Sequence, residues 1–325
     1  MNSNNVNPMS NTHSYQVPQT PVVDEVDLKE VFTALWKGKW LIIVMTALFA
    51  VSGVFYALSQ PNTYKAEVVM ASANKDGQSG LAGMAAQFGG IASLAGINIG
   101  GGAGADETVL VLATLKSRQF INHFITKHDL LVPLMASDHW DMDSGKLFLD
   151  GSLYDEQDQK WIRDVPEGFS IVPTAWEAYK VFTEIMTVNK EKETGLVTLS
   201  IIHHSPIVAQ QWAQLLVADL NLWMKNKSIN ESSHNIEYLN KQLDKTSVAE
   251  MKTVFYQLIE EQTKNLMLAE VEDEFSFKTI DPAVIPEEKV GPKRALICIL
   301  AVFLGGLFSI ILILGNYMVR KLINH

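Results

Sequence analysis

Two long apolar runs dominate the hydropathy pattern of this chain of 325 residues. They cover Leu41–Leu58 near the beginning and Ala295–Leu314 near the end, and neither contains a charged residue. Each run is long enough for a helix to cross a hydrocarbon core of about 30 Å. The pattern therefore predicts transmembrane helices at 40–58 and 295–317. It also predicts a tail at 1–39, a mixed domain at 59–294 and a short C-terminus at 318–325.

The charges beside the first run predict its orientation. Lys37 and Lys39 precede the run, whereas Lys65 is the only basic residue shortly after it. By the positive-inside rule, both termini lie in the cytoplasm and the domain between the runs lies in the bacterial periplasm. The alternative is a cleaved signal peptide, because Ala57-x-Ser59 resembles a cleavage site. The tail before the run is too long for the charged segment of a signal peptide, so we expect an uncleaved helix.

Small residues recur at helical spacing in both runs. Gly53 and Ala57 stand four apart in the first run, and Ala301, Gly305 and Ser309 do so in the second. Such positions let helix backbones approach closely in lipid, where packing drives association. They indicate self-association. The alternative is that small residues are simply common in membrane helices.

The pattern between the runs predicts an α+β domain with long helices. The predicted strands are Thr63–Ser72, Thr187–Lys190, Leu196–His203 and Phe275–Ile280. The predicted helices are Asp106–Leu131, Thr174–Met186, nearly forty residues that start at Ser205-Pro206, and a last one that starts at a capping box, Ser247-x-x-Glu250. Trp176, Tyr179 and Phe182 are expected on one side of the second helix. Helices this long need partners for their apolar faces, and neighbouring subunits could supply them.

Three further segments lack a clear period. Gly77–Gly104 holds half of the chain's twenty glycines and no charge, which predicts a mobile loop; contact with lipid or a partner is the alternative. Ser137–Phe169 predicts a solvated loop, because its aspartates do not match the EF-hand calcium pattern. Asp281–Pro292 predicts a stiff, extended spacer. The prolines that stiffen it are Pro282, Pro286 and Pro292.

Charge and residue chemistry argue against several classes of function. The net charge of −10 disfavours nucleic acid as a partner. The single cysteine, Cys298, lies in the second run, so the middle domain has no disulfide or thiolate. No phosphate-binding loop, H-E-x-x-H motif or nucleophile elbow occurs. His203 and His204 are adjacent on a strand, where side chains point to opposite faces. No catalytic residue, cofactor or metal site is therefore predicted, and a doubly anchored periplasmic hydrolase is the competing class.

Several segments appear in a characteristic order between the two runs. They are Asp27–Trp40, Tyr64–Val69, Leu115–Arg118, Thr194–Pro206, and Asp281-Pro282-Ala283 with Pro286, Pro292, Lys293 and Arg294. This order resembles the polysaccharide co-polymerases, the Wzz-type chain length determinants. The resemblance implies a non-catalytic, homo-oligomeric scaffold in the bacterial inner membrane. Such a scaffold would set the chain length of O-antigen, the polymer of lipopolysaccharide, with a membrane polymerase and a lipid-linked polysaccharide as partners.

The resemblance leaves one alternative within the family. An exopolysaccharide or capsule co-polymerase would act with a tyrosine kinase in the cytoplasm. No kinase domain follows the second apolar run in this sequence, so that alternative implies a separate kinase.

Overall fold

The structure is a computed structural model that describes residues 33, 35–73 and 103–323. It divides into two compact units. One unit contains the apolar helices α1 (Lys39–Ser59) and α8 (Arg294–Ile323), and the other extends from Leu58 to Lys293. The predicted Gly77–Gly104 loop lies almost wholly outside the described residues.

The larger unit alternates between helices and short strands. Its helices are α2 (Ala103–Leu115), α3 (Arg118–Lys127), α4 (Leu131–Met135), α5 (Ala175–Ile185), α6 (Pro206–Lys245) and α7 (Ala249–Val271). Its strands are β1 (Thr63–Ser72), β2 (Ser137–Asp141), β3 (Lys146–Leu149), β4 (Tyr154–Asp155), β5 (Lys160–Trp161), β6 (Met186–Lys190), β7 (Val197–His203), β8 (Phe277–Asp281) and β9 (Lys289–Gly291). The α+β class predicted from the pattern is confirmed.

An antiparallel sheet organises this unit around β1. β7 pairs along one side of β1, β8 and β9 pair along the other, and β6 extends the sheet as a hairpin with β7. Ala66, Val68 and Met70 alternate with more exposed residues and point to the buried face. Because alternate side chains of a strand face opposite sides, this register buries one face of the sheet. The predicted strands at 63–72 and 196–203 are confirmed.

The buried face of the sheet packs against the first half of α6. Its core side chains there are Ala209, Trp212, Ala213, Leu216, Val217 and Leu220. α3 and α5 complete the core, where the rings of Phe124 and Phe182 meet edge to face at 5.6 Å between centroids. Removal of this apolar surface from water is the main force that holds the unit together.

The segment predicted as one helix, Asp106–Leu131, is two helices. α2 ends at Leu115, and Ser117 begins α3 because its side-chain oxygen accepts a hydrogen bond from the Phe120 N–H at 3.2 Å. An N-cap of this kind satisfies a backbone donor that the first turn leaves free. The single-helix prediction was wrong because the apolar spacing continues across the break.

The ends of the long helices confirm one capping prediction and correct another. The oxygen of Ser205 caps α6, which runs for 40 residues from Pro206, as predicted. The predicted capping box at Ser247 was wrong. α7 begins at Ala249, and Val248 precedes it without a side-chain hydrogen bond.

The segment predicted as a solvated loop, Ser137–Phe169, contains two β-hairpins. β2 pairs with β3, and β4 pairs with β5. Asp141 closes the turn of the first hairpin, because its carboxylate accepts hydrogen bonds from the Asp143 N–H at 3.2 Å and the Ser144 hydroxyl at 2.6 Å. Strands of two to five residues leave too little alternation to recognise in the sequence.

Small residues bring the two apolar helices of the smaller unit together. A β-carbon added at Gly53 would overlap that of Ala301, and one added at Gly305 would lie 2.7 Å from the β-carbon of Phe49. Arg294 donates a hydrogen bond from Nε to the Ala57 carbonyl at 3.1 Å. Both helices are long and apolar enough to cross a membrane. The two helices can approach this closely because Gly53 and Gly305 have no side chain.

A buried histidine closes one end of the sheet. The Nδ1 atom of His203 accepts the Ser205 N–H at 3.0 Å, and Nε2 lies 3.0 Å from the Pro133 carbonyl. The neutral ring, protonated at Nε2, satisfies both contacts. Burial, together with the nearby His204, lowers the pKa of His203 from 6.5 to about 4.

We predict that Gly53→Ala lowers the stability of the full chain in mild detergent. The added methyl group overlaps Ala301, and such overpacking costs about 1–3 kcal/mol. Gly306→Ala is the matched control, because a β-carbon there meets nothing within 4 Å. Thermal unfolding followed by circular dichroism measures both. Equal thermal midpoints for the two variants would contradict the close approach of the two apolar helices at Gly53.

We also predict that the larger unit loses stability in mild acid. Between pH 6.5 and about 4, the unfolded chain binds a proton at His203 that the folded chain excludes. The free energy of unfolding then decreases as the pH falls through this range, by roughly 3 kcal/mol at most.

His203→Asn should flatten this pH dependence, measured from the thermal midpoint between about pH 7 and about pH 5. His234→Asn, at an exposed position on α6, is the control and should leave it unchanged. If the thermal midpoint of the His203 variant changes with pH as steeply as that of the native chain, His203 is not the cause of the pH dependence.

Candidate functional site

A helical hairpin extends beyond the core of the larger unit. α7 runs antiparallel to the second half of α6, and the three residues 246–248 connect them. Asn235 donates to Gln262 at 3.3 Å, and Lys225 donates to the Glu270 carbonyl at 3.0 Å farther along. α7 therefore supplies α6 with a partner inside one chain, where the sequence suggested a neighbouring subunit.

One face of α7 remains without a partner in the described part of the chain. Met251, Val254, Leu258 and Leu268 are 46%, 47%, 37% and 45% exposed. The first three lie at the three- and four-residue spacing that places side chains in one row along a helix, and Leu268 lies ten residues farther along α7. We call these four residues the α7 stripe.

The proline segment is tied to the larger unit. The carbonyl of Ala283, next to Pro282, accepts hydrogen bonds from Gln214 at 3.0 Å and Gln210 at 3.4 Å. Ala283 itself is buried, and β9, between Pro286 and Pro292, pairs with β1. Strand pairing and two glutamines fix this segment, which the sequence predicted to be stiff and extended.

A surface cavity of about 320 Å³ opens beside Pro282. Two of its polar side chains bind backbone groups: Asn221 binds the backbone of Ser276 and Phe277 through three hydrogen bonds of 2.8–2.9 Å, and Glu274 accepts the Thr279 N–H at 2.9 Å. These groups hold β8 against α6.

A buried carboxylate joins α3 to α6. Asp219 binds Lys127 Nζ at 2.7 Å and His128 Nε2 at 2.8 Å, and the His128 ring packs on Phe124 at 5.0 Å. A buried charge is tolerated when it is paired and hydrogen-bonded in this way. Across residues 35–73 and 103–323, no group of three histidine, cysteine or carboxylate side chains could hold a metal ion.

Arg163 holds a loop in front of α5. Its guanidinium binds the Glu177 carboxylate through two hydrogen bonds of 2.9 and 3.0 Å, and it donates to the carbonyls of Ser170 and Ile171. Glu177 also accepts the Thr174 N–H at 2.7 Å in a capping box. These hydrogen bonds, those from Arg163 foremost, lower the pKa of Glu177 to about 2.

The sequence signal for this arrangement is the Thr174-x-x-Glu177 capping box, which the sequence analysis did not identify. The residue beside it, Trp176, was expected on one side of α5 with Tyr179 and Phe182. It is 57% exposed, and Phe182 is fully buried. The helix prediction was thus confirmed, and the expected common side for these aromatic residues was wrong.

The predicted assembly residues occupy two separate regions. Gly53, Ala57, Ala301, Gly305 and Ser309 lie in the apolar helices; Gly53 and Gly305 face the other helix of the same chain, and Ala57 and Ser309 are buried. Pro282, Pro286 and Pro292 lie in the tied segment of the larger unit. Self-association through the small residues stays a prediction.

Two family models match the chain. The Wzz model, described as "Chain length determinant protein", matches residues 24–128. The GNVR model, described as "G-rich domain on putative tyrosine kinase", matches residues 242–318. The first match spans α1, β1, α2 and α3, and the second contains α7, β8, β9 and most of α8. A comparison with curated protein sequences gave no match.

Solved structures similar to this chain include a "full-length bacterial polysaccharide co-polymerase". Its identity is 13% and its TM-score 0.37, over 91% of this chain and 99% of that one. A second is a "Fragment of WzzB, Polysaccharide Co-polymerase from Salmonella Typhimurium", with 12% identity and a TM-score of 0.27, over 71% of this chain and 100% of that one.

The matched segments flank the long helix α6 and lie in the order that the sequence pattern indicated. Together they span more than half of the chain. The chain therefore contains a segment that matches the Wzz chain length determinant domain, at 24–128, and one that matches the GNVR domain, at 242–318.

Proposed function

We propose that this protein regulates the chain length of O-antigen, the polymer of lipopolysaccharide, as a non-catalytic scaffold in the bacterial inner membrane. The chain length determinant match at 24–128 carries the proposal. The two apolar helices support a membrane anchor at both ends of the larger unit. With the charges beside α1, they support cytoplasmic termini and a periplasmic domain.

The geometry supports a scaffold because the polar clusters of the larger unit serve its own fold. Asp219, Arg163 and Asn221 each bind groups of the same chain at 2.7–3.0 Å. General acid–base catalysis needs a positioned group within reach of a substrate proton. A periplasmic hydrolase would need two such groups in one pocket, and would cleave the polymer when purified.

Deletion of the gene tests the proposed function. The lipopolysaccharide of the deletion strain, separated on a gel, should lose its preferred O-antigen length and regain it when the full chain is expressed from a plasmid. Unchanged banding would reject the O-antigen proposal. Cleavage of the polymer by purified protein would reject the scaffold.

A second candidate is the synthesis of exopolysaccharide or capsule with a separate cytoplasmic tyrosine kinase. The match at 242–318 favours it, because the matching family model is that of a domain on putative tyrosine kinases. The same deletion strain separates the two candidates. Loss of capsule with normal lipopolysaccharide banding would favour the second.

The proposed scaffold is a homo-oligomer, with a membrane polymerase and a lipid-linked polysaccharide as its partners. The α7 stripe supports the assembly, since apolar side chains in a row along a helix bury surface when they meet another helix. Exposed on a single chain, the stripe would be costly in water.

We predict that Val254→Glu with Leu258→Glu weakens assembly. Loss of two apolar contacts costs roughly 2–3 kcal/mol, about a 30- to 150-fold change in affinity. Gln257→Glu is the matched control, because this exposed neighbour adds a charge beside the stripe without removing an apolar side chain. Light scattering of the full chain in mild detergent measures the mass. A native chain that is monomeric would contradict the assembly, and a paired variant of native mass would contradict the role of the stripe.

A further inference from the structure

The cavity beside Pro282 combines an apolar floor with a polar rim. Val68 of β1 and Val217 of α6 are buried and form the floor. The polar side chains that line the cavity are those of Gln214, Asn221, Asp273, Glu274 and Thr279. Its volume of about 320 Å³ lies at the lower end of the range for small-molecule sites, about 300–1,000 Å³. The cavity therefore suits one ring-sized group better than a long chain.

Hydrogen bonds within the chain fix the walls of this cavity. Asn221 binds the backbone at the start of β8 through three hydrogen bonds of 2.8–2.9 Å. The Gln214 Nε2 atom donates to the Ala283 carbonyl at 3.0 Å. The Oε1 atom of Glu274 accepts the Thr279 N–H at 2.9 Å. Because these bonds hold the lining residues in place, a ligand meets a site that is already formed and loses less free energy to ordering it.

The same side chains keep polar atoms that no group in the described part of the chain binds. These atoms are Oε1 of Gln214, Oε2 of Glu274 and the hydroxyl oxygen of Thr279. Asp273 adds a carboxylate, with the Lys225 ammonium 3.7 Å from its Oδ1 atom. Carboxylate and amide oxygens only accept hydrogen bonds, whereas a hydroxyl group also donates. The rim therefore suits a ligand that donates several hydrogen bonds.

We propose that this cavity binds one uncharged sugar ring of the polysaccharide. A sugar ring has an apolar face of C–H groups and hydroxyl donors around its edge, which match the apolar floor and the acceptors of the rim. Hydroxyl groups that donate to a carboxylate make charge-assisted hydrogen bonds, which are the stronger kind. The inference rests on the proposed function and adds the class of sugar that the polysaccharide presents to this protein.

The charges of the rim disfavour other small ligands. The carboxylates of Asp273 and Glu274 repel a phosphate group or an acidic sugar. Over residues 35–73 and 103–323, no three carboxylate, histidine or cysteine side chains are grouped so that they could hold a metal ion. An uncharged donor of hydrogen bonds is the class that meets neither obstacle.

Saturation-transfer NMR of the full chain tests the site, in a detergent without a sugar headgroup. The probes are the methyl glycosides of glucose, galactose, mannose and N-acetylglucosamine, each added separately, and sodium glucuronate is the acidic comparison. At least one glycoside should receive saturation on its ring C–H protons, and glucuronate should receive none. No saturation of any glycoside, or equal saturation of glucuronate, would overturn the proposal.

A substitution that fills the cavity locates the bound sugar. Ala218 lines the cavity on the exposed side of α6, so Ala218→Phe places a ring in it and should abolish the saturation signal. Ala249→Phe, at an exposed alanine where α7 begins, is the matched control and should retain the signal. A native signal in the Ala218 variant would show that the sugar binds elsewhere and would overturn the site.

A second substitution tests the contact with the rim. Thr279→Val removes one hydroxyl group and retains the backbone N–H that binds Glu274. The dissociation constant of the bound glycoside, measured by titration, should rise about fivefold, the effect of one lost hydrogen bond. Thr187→Val is the control, because this exposed threonine lies on β6, at the other end of the sheet. An unchanged dissociation constant in the Thr279 variant would contradict the proposed contact.

The lipopolysaccharide gel of the deletion strain separates this inference from the proposed function. Loss of the preferred O-antigen length on deletion, together with no sugar binding by the purified chain, would overturn the cavity site alone. Unchanged banding would reject O-antigen control. Sugar binding that the Ala218 variant loses would still establish the site in that case.

Discussion

The backbone hydrogen bonds of β1 are the constraint on which the larger unit depends. This strand binds segments far away in sequence: Ala66 lies opposite Ile201, and Thr63 lies opposite Gly291. The last of these pairings places the two chain ends of the unit side by side. Because β1 is central, its buried face also supplies the surface on which α6 packs. Non-local pairing of this kind costs loop-closure entropy, which the burial of the core must offset.

Polar side chains then fix the positions of segments that the sheet and the core do not hold by themselves. The Asn221 amide holds the start of β8, the Asp219 carboxylate holds α3, and the Arg163 guanidinium holds the loop before α5. Each hydrogen bond contributes only about 1 kcal/mol net to the free energy of unfolding. Removal of one of its two groups would cost more, because the other would be buried without a hydrogen bond. These residues resemble catalytic groups in type, but their partners belong to the fold.

Exposed apolar side chains follow from this architecture in two places. Once α7 has covered the second half of α6, the α7 stripe has no partner in the described part of the same chain. Once Arg163 has fixed its loop, Trp176 beside it is exposed to solvent.

The sequence by itself determined the features that depend on short-range patterns. Charge-free runs predicted the apolar helices, period-two alternation predicted β1 and β7, and Ser205-Pro206 predicted the start of α6. These signals lie within a few residues of one another. Only the tertiary structure decided the break at Ser117, the short hairpins of 137–161, the exposure of Trp176 and the partners of Asp219. Asp219 meets residues about 90 positions away, and Arg163 meets Glu177 across a loop. Such contacts depend on which surfaces pack together, and no local periodicity encodes that choice.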